Sequence, residues 1–407
     1  MNGALAAGPR LDPRVWQRLR TRAIFDYCKW DPHCEDHSVL ADFPLILTAT
    51  EFTKVSELAE RLTSEAFEAE QHILGNPVLL RELAIPSPIR KLLEKRENPI
   101  RDISLRVMRF DFHHTTERWQ ISEVNADVPR GYVEASGWNR LFAAEFAGLA
   151  APPDPAESYV EAVRQVAGEG ATVALVHATV YSEDRQVMMY LARRMNARGL
   201  KPVMVGPQHI EWKNGCATTA FDSCRDKADV VVRLYPAEWL PSSTTGSAWR
   251  GWFEDAGIPM SNPGRAIILQ SKRFPLVWDR LSCGLPTWRR LLPQATAPDH
   301  LRDVEYDDWV FKPAFGRVGE DVGIRGINPE HEFRSIVRSM KENSSNWVAQ
   351  RRFKIIPVPS ETGPVYPCVG VYTVGGKVAG LYGRVSTNPL IDGNAQDVAV
   401  LLKEGAN

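Results

Sequence analysis

The residues of this sequence best suited to chemistry alternate with apolar residues along two short stretches. In the first, a strand that begins at Arg109 places Arg109 and Asp111 on one face and Phe110 and Phe112 on the other. An arginine can bind two oxygens of a phosphate or an acyl phosphate, because its planar fork donates two parallel hydrogen bonds. The first stretch therefore predicts a polar face that binds oxyanions.

A second strand is predicted over residues 119–125, where Glu123 and Asn125 again share a face. The connection between the strands, HHTTER, is short and polar, as is typical of a hairpin. Pairing the strands brings Asp111 next to these two side chains. Two carboxylates and an amide oxygen suit Mg²⁺, which usually takes phosphate oxygens and waters as its remaining ligands.

The alternative is an ordinary amphipathic hairpin whose polar face is solvated, since alternation alone is a weak signal. The polar residues on the predicted site face are acidic, amide or arginine, and none is lysine or serine. This restricted set favours a site for metal and phosphate over a solvated face.

The composition is that of a globular protein with two or three domains: 407 residues, 44% hydrophobic and 24% charged. Lys and Arg total 49 against 50 Asp and Glu, which argues against nucleic-acid and membrane-surface partners. No apolar run approaches the roughly 18 residues of a membrane span, and the N-terminus lacks a signal-peptide pattern. Six cysteines are too sparse for a disulfide framework, so a cytoplasmic protein with reduced thiols is expected.

Helices are predicted before and after the hairpin. Thr48 and Glu51 form a capping-box pattern that opens a long helix. The stretch Cys28–His37 carries two Cys and two His, but its Cys-x5-Cys spacing is too wide for a zinc knuckle. The predicted helical ranges are 13–27, 49–74, 77–97 with a break near Pro86, and 134–149.

A proline-rich linker at residues 150–159 precedes a different pattern. Apolar strands at 171–178, 202–206 and 229–235 alternate with an amphipathic helix at 183–198. This order is typical of a parallel, Rossmann-like α/β unit. The unit lacks a G-x-G-x-x-G sequence, so it predicts no dinucleotide site and is expected to form part of a co-substrate cleft.

The final third of the chain combines lysines, glycines and strands. Lys272 ends the sequence QSK, and Lys312 lies in FKP-x-x-G-x-x-G, whose glycines are Gly316 and Gly319. Taken singly, these glycines could form a simple turn, and Arg384 could be a solvated strand residue. The predicted strands cover 347–353, 366–386 and 397–402.

The order of the motifs resembles the glutathionylspermidine synthetase family from about Phe25 to the C-terminus. The motifs are R-x-D, E-x-N, QSK, FKP-x-x-G-x-x-G, YTVGG and GR, and the first two resemble the metal-binding signature of ATP-grasp carboxylate–amine ligases. Most such ligases place that signature after the ATP-binding lysines, whereas this branch places it before them. The resemblance implies a mixed α/β, rearranged ATP-grasp fold with a Rossmann-like pre-ATP-grasp domain, which uses ATP and Mg²⁺ to ligate an acid to an amine.

The resemblance also implies roles for single residues. The lysines bind the α- and β-phosphates of ATP, the glycine loop covers the phosphates with its N–H groups, and a glutamine meets adenine. The arginines hold the transferring phosphoryl group. The implied residues are Lys272, Lys312, Gly316, Gly319 and Gln350 for ATP, Asp111, Glu123 and Asn125 for the metal, and Arg109 and Arg384 for catalysis.

The sequence departs from the family where substrates would bind. Pro129-Arg130-Gly131 replaces a small, hydroxyl-bearing stretch associated with the acid, and Arg130 could bind a carboxylate. Glu183 and Asp184 are the leading amine-binding candidates, although acidic residues there could simply favour a helix N-terminus. After Arg384 the acidic candidates are Asp392 and Asp397. A different acid, a different amine or both are therefore expected.

Together these observations predict three segments: residues 1–150 with the metal-binding hairpin, 151–260 as the pre-ATP-grasp substrate domain, and 261–407 as the nucleotide-binding region. The chain has no room for the amidase domain of bifunctional family members, so no hydrolase activity is expected. The alternatives are an ATP-dependent phosphotransferase and a non-catalytic ATP-binding protein. The intact motif set argues against the latter. The oligomeric state is not determined by these patterns.

Overall fold

The computed structural model describes residues 4–30, 33, 34, 37–95, 103–221, 224–243, 248–254, 257–317 and 319–403. The side chains of residues 31–37, and with them most of the Cys28–His37 stretch, lie outside the described residues. So do residues 96 and 97 of a predicted helix and Val318 of the predicted glycine loop. The described chain mixes helices with parallel and antiparallel sheets, so the α/β prediction is confirmed.

Most predicted helices are present with nearly the predicted bounds. The long second helix begins after Thr48, whose hydroxyl accepts a hydrogen bond from the Glu51 N–H as its cap. No helix in the described ranges combines the length and apolar character of a membrane span. The α-helices are Pro13–Tyr27, Ala49–Ile73, Pro77–Glu82, Ser87–Leu93, Asn139–Ala143, Pro155–Ala167, Ser182–Ala197, Leu240–Ser243, Ile267–Gln270, Pro286–Leu291 and Glu330–Glu342.

The prediction of a helix over 134–149 is wrong in the type of helix and in where the helix ends. The chain forms a π-helix over Val133–Trp138 and continues as an α-helix only to Ala143. A two-residue strand, Leu149–Ala150, follows. The π-helix carries Gly137 against the ring of Tyr27, where an added Cβ would lie 2.2 Å from a ring carbon. Close packing at this point therefore requires glycine.

The predicted parallel unit is confirmed. Its four strands lie in the order Met260–Ser261, Val230–Arg233, Thr172–Val176 and Lys201–Val205, and all neighbours are parallel. The three inner residues of the Thr172–Val176 strand are fully buried, as expected when helices cover both faces of a parallel sheet. An antiparallel extension follows it, formed by Ile210–Lys213, Cys216–Phe221 and Cys224–Ala228.

An antiparallel sheet joins the middle of the chain to its end. Its strands lie in the order Gln396–Val398, Lys377–Ser386, Gly363–Val374, Val107–His114 and Trp119–Asn125, and Val358–Ser360 pairs with Gly363–Val374. We call its last two strands the site hairpin. Phe110 and Phe112 of this hairpin are fully buried and pack edge-on against the rings of Trp288 and Trp119. The apolar side of the predicted alternation therefore anchors the hairpin in the core.

The described residues also form two further four-stranded sheets and a two-stranded antiparallel sheet of His33–Cys34 and His37–Ser38. One contains Ala295–Thr296, Trp347–Arg351, Trp309–Pro313 and Gly323–Ile324, so the strand that carries Lys312 is interior and not an edge strand. The other contains Leu5–Ala7, Leu45–Thr48, Val400–Lys403 and Leu149–Ala150. The predicted strand 397–402 is therefore split between two sheets. The division of the chain into segments at residues 150 and 260 stays a prediction. Strands of the first segment, 1–150, and of the third, 261–407, lie in the same sheets.

A buried ion pair ties the long second helix to the site hairpin. Arg106 donates to both carboxylate oxygens of Glu70, at 3.0 and 2.8 Å, and both side chains are almost fully buried. We expect Arg106→Met to lower the free energy of unfolding by about 3–5 kcal/mol, because it leaves a buried carboxylate undercompensated. Arg61→Met on the same helix removes an exposed pair with Glu57 and should cost less than about 1 kcal/mol. Equal effects in chemical denaturation would contradict this account.

Candidate active site

The register of the site hairpin places the predicted metal residues together. Asp111 pairs with Glu123 and Arg109 with Asn125, so all four lie on one face of the sheet. A β-bulge follows Asp111 and leaves Ser122 without a pairing partner. The bulge frees the Ser122 carbonyl, which accepts a hydrogen bond from Lys312 Nζ at 3.0 Å. Lys312, which belongs to a different sheet, is thus held next to the polar face of the hairpin.

The carboxylate of Asp111 lies at the centre of this face. Arg109 donates from Nε to Oδ1 at 2.7 Å and from Nη2 to Oδ2 at 3.0 Å, and Asn125 Nδ2 donates to Oδ2 at 3.0 Å. Arg109 also donates to the Arg130 carbonyl at 2.6 Å and lies 4.8 Å from the centre of the Tyr382 ring. Burial alone would lower the pKa of the Arg109 guanidinium. The charge of Asp111 and its hydrogen bonds outweigh burial, so the pKa is raised. Arg109 is therefore charged and fixed in place.

Two lysines approach the second carboxylate from neighbouring elements. Lys272 Nζ lies 3.2 Å from Glu123 Oε2 and donates to the Gly316 carbonyl at 2.5 Å. Lys312 Nζ donates to Gln350 Oε1 at 2.5 Å, so the predicted adenine contact is engaged with a lysine. Burial would raise the pKa of Glu123, but Lys272 and Lys312 outweigh it and lower this pKa. Glu123 is therefore an ionised carboxylate held among cations.

The ammonium of Lys312 has a lowered pKa. Its pKa is lowered to about 8, first because burial penalises the charged form, an effect that Glu123 only partly opposes. The charged form dominates below this pH and is lost above it. The motifs predict that Lys312 binds ATP, and on that role we expect kcat/KM for ATP, which reports the free enzyme, to fall as the pH rises from about 7 to about 9. Lys312→Arg keeps its charge, so this fall should disappear; a flat wild-type profile would contradict the assignment.

Arg384 is a further basic residue of the cleft lining. Its Nη2 donates to the carbonyls of Asp392 and Ala395, at 2.7 and 3.0 Å, and its Nε lies 3.8 Å from Asp397 Oδ1. The Asp392 carboxylate accepts a hydrogen bond from the Asn394 N–H at 2.9 Å and does not line the cleft. The structure therefore gives Asp392 a role in shaping a turn, with only its carbonyl facing the site arginine.

These side chains line one cleft with a cavity of about 400 Å³. The site hairpin forms its floor, the helix Ser182–Ala197 of the parallel unit borders one end, and the Lys312 and Gln350 strands border the other. Gly319, with φ +72°, approaches the Ile391 carbonyl so closely that a Cβ would lie 2.7 Å away. Predicted residues that line the cleft are Arg109, Asp111, Glu123, Asn125, Arg130, Glu183, Lys272, Lys312, Gly316, Gly319, Gln350, Arg384 and Asp397.

The predicted acid and amine contacts lie together and pair with each other. Arg130 Nη2 lies 2.6 Å from Asp184 Oδ1, and its Nη1 lies 3.8 Å from Glu183 Oε2. Asp184 is fully buried, and burial raises its pKa to about 6 although Arg130 opposes this. The two separate contacts predicted from the sequence are therefore one ion-paired cluster.

Sequence reasoning missed several residues that line the cleft. Lys29, Glu134 and Tyr382 all face it, and no sequence motif links them because they lie far apart in the chain. His113 also faces it; burial lowers its pKa to about 4, and its Nε2 lies 3.0 Å from the Ser122 hydroxyl. The one sequence signal for His113 is its place two residues after Asp111, which puts it on the same face of the predicted strand as Arg109 and Asp111. In the described ranges, no group of three or more His, Cys, Asp and Glu side chains is arranged to hold a metal.

Comparison with known proteins places these features in a family. Residues 13–403 match the family described as glutathionylspermidine synthase preATP-grasp. A Haemophilus influenzae protein named "Putative acid--amine ligase" is 24% identical over 284 residues, which are 67% of this chain and 68% of that protein. A glutathione synthetase-like effector from Globodera pallida, solved in its apo form, aligns with a TM-score of 0.62 and 12% identity over 96% of this chain and 98% of that one. The rearranged ATP-grasp type of fold predicted from the motifs is confirmed.

Proposed function

Because this chain belongs to the glutathionylspermidine synthase preATP-grasp family, we propose that it is an ATP- and Mg²⁺-dependent ligase that joins a carboxylic acid to an amine. The products are an amide, ADP and phosphate. The name of the H. influenzae relative describes the same class of reaction. An acyl phosphate of the acid is the intermediate.

The observation that carries this proposal is the meeting of four cationic side chains with two facing carboxylates in one cleft. The cations outnumber the carboxylates, so the cleft attracts a polyphosphate. The carboxylates face each other across paired strands, so they can share a cation bound to that polyphosphate. The side chains are Arg109, Lys272, Lys312 and Arg384 around Asp111 and Glu123.

The donor set at the hairpin suits Mg²⁺. Asp111, Glu123 and Asn125 offer hard oxygen ligands, and Mg²⁺ sites in proteins commonly use only one or two carboxylates, with waters and phosphate oxygens completing the shell. When bound, the metal neutralises charge on the β- and γ-phosphates. Without ligands, Arg109 and Lys272 balance the two carboxylates. We propose that both cations turn from these carboxylates toward phosphate oxygens in the complex.

The remaining ATP contacts follow from the position of each side chain. Lys272 and Lys312 both lie close to Glu123 and bind the α- and β-phosphates as point charges. Gly316 and Gly319 bring backbone close to the phosphates. Gln350 borders the end of the cleft opposite the helix Ser182–Ala197, where we propose that adenine lies. Lys312 orients Gln350 by the hydrogen bond between them.

The chain's own groups would promote two transfers. A carboxylate oxygen of the acid attacks the γ-phosphorus, and the bond to the ADP oxygen breaks. The amine nitrogen then attacks the acyl carbon, phosphate leaves and the amine loses a proton. Arg109 and Arg384 lie on the same face of the sheet, on the two strands that flank Gly363–Val374, and stabilise the negative charge of both transition states.

The acid and amine occupy the end of the cleft bordered by the helix Ser182–Ala197. Arg130 there is paired with Asp184, so it offers a carboxylate less positive charge than an unpaired arginine would. We propose that the acid, the amine or both differ from glutathione and spermidine.

The proposal is tested with a matrix of acids and amines incubated with ATP and Mg²⁺. Phosphate release is measured together with the masses of the products. A product with the mass of acid plus amine minus water supports the ligase and identifies both substrates. Phosphate release that needs an acid but yields no amide with any amine would favour a phosphotransferase and contradict the proposal.

A further inference from the structure

A buried lysine lies between two carboxylates at the substrate end of the cleft. Lys29 Nζ donates to Glu134 Oε1 at 2.5 Å and lies 3.4 Å from Asp397 Oδ2. All three residues line the cleft and are less than a tenth exposed. They come from the residues after the first helix, from the π-helix and from the strand Gln396–Val398. We call this group the Lys29 cluster.

The Lys29 cluster adjoins both arginines to which we assign catalysis. Tyr382 donates its hydroxyl to Asp397 Oδ1 at 2.5 Å, and its ring packs against the Arg109 guanidinium at 4.8 Å. Arg384 Nε lies 3.8 Å from the same Asp397 oxygen. The ammonium of Lys29 is therefore held where a positively charged amine would approach the reacting centre.

Resting on the proposed function, we propose that Lys29 fills an ammonium position in the amine subsite and thereby selects amines that carry a single ammonium group. A diamine or polyamine would have to place a second cation near Glu134 and Asp397, and the ammonium of Lys29 already compensates both. Repulsion between like charges disfavours such a ligand. Lys29 is in this reading a residue that determines specificity, not a catalytic residue.

A second pair of acidic residues, Glu183 and Asp184, also favours amines with a single ammonium group. Glu183 and Asp184 border this end of the cleft, and Arg130 compensates them within the chain. The carboxylates of both clusters thus already have cations of the protein as partners. A polycationic amine would have to displace Lys29 or Arg130, whereas an amine with one ammonium needs no such displacement.

The test truncates the Lys29 side chain by mutation and adds a small ammonium ion that matches the truncated atoms. Lys29→Ala deletes three methylene groups and the ammonium, which together correspond to n-propylammonium. We expect that ion to raise the unfolding temperature of the variant in a concentration-dependent manner, while n-propanol at the same concentration does not. We also expect 1,4-diaminobutane to bind Lys29→Ala at least about tenfold more tightly than it binds the wild type. Neither measurement needs ATP or turnover, so failure here is distinguishable from failure of the proposed function.

Lys54→Ala is the matched control, because Lys54 also lies near a glutamate but on the exposed surface. It should show no selective response to n-propylammonium. If Lys29→Ala does not fold, Lys29→Ala/Glu134→Gln retains one carboxylate, Asp397, and should respond to the same ion. No selective response in either variant would overturn the proposal. Wild-type binding of the diamine as tight as that of the variant would also overturn it.

Discussion

Replacing Arg109 with alanine is expected to lower the ligase turnover number about 1000-fold, the scale of loss seen when an arginine that stabilises a phosphoryl-transfer transition state is removed. In the structure Arg109 is buried beside Asp111 and held from its other side by the Arg130 carbonyl and the Tyr382 ring. The Arg130 carbonyl and the Tyr382 ring keep the guanidinium in the cleft when it turns from Asp111 toward the transferring phosphoryl group. The expected loss is in kcat, measured as amide formation at saturating ATP.

The controls separate chemistry from folding. Arg109→Lys keeps the charge but loses the fork, so its turnover should lie between those of the wild type and Arg109→Ala. ATP binding by Arg109→Ala should remain, because Lys272 and Lys312 are unchanged. Circular dichroism shows whether each variant is folded. A folded Arg109→Ala variant with turnover close to wild type would remove Arg109 from the catalytic centre.

The second large effect is expected at the residues that we propose to bind Mg²⁺. Asp111→Asn replaces one of two facing carboxylates with an amide of the same shape, and should lower turnover about 100- to 1000-fold. The Mg²⁺ concentration for half-maximal rate should rise as well, because the site loses one negative charge. A Mg²⁺ titration of the rate measures both changes.

Asp111 also holds Arg109, so a second variant is needed to isolate the metal. Glu123→Gln leaves the pairing between Arg109 and Asp111 intact and should raise the Mg²⁺ requirement in the same way. Glu117→Gln removes an exposed carboxylate from the turn of the same hairpin and should match the wild type. Unchanged Mg²⁺ dependence in a folded Glu123→Gln variant would refute the metal assignment.

The site hairpin was predictable because its pattern is local. Alternation identified the strand Trp119–Asn125 with its observed bounds and placed Glu123 and Asn125 on one face. The bulge after Asp111 was not predictable, since nothing in the residue types of the strand Trp119–Asn125 marks Ser122 as unpaired. The hydrogen bond from Lys312 to the Ser122 carbonyl depends on that bulge and was invisible for the same reason.

The substrate end of the cleft was less predictable because its contacts are long-range. Lys29, Glu134 and Asp397 meet from positions more than 100 residues apart, and no periodicity encodes such a meeting. The sequence predicts Arg130 and Asp184 as separate substrate contacts, but their pairing with each other depends on how the parallel unit packs against the hairpin. Phosphate chemistry demands particular residue types, whereas the shape of a substrate pocket is set by packing.

The central claim is that ATP activates the acid as an acyl phosphate before the amine attacks. The most direct measurement follows ¹⁸O from the labelled carboxylate of the acid substrate during amide formation. We expect one labelled oxygen in inorganic phosphate and one in the amide, because the acid oxygen bonded to phosphorus leaves with the phosphate. Label in AMP, or phosphate without label while the amide forms, would contradict the claim.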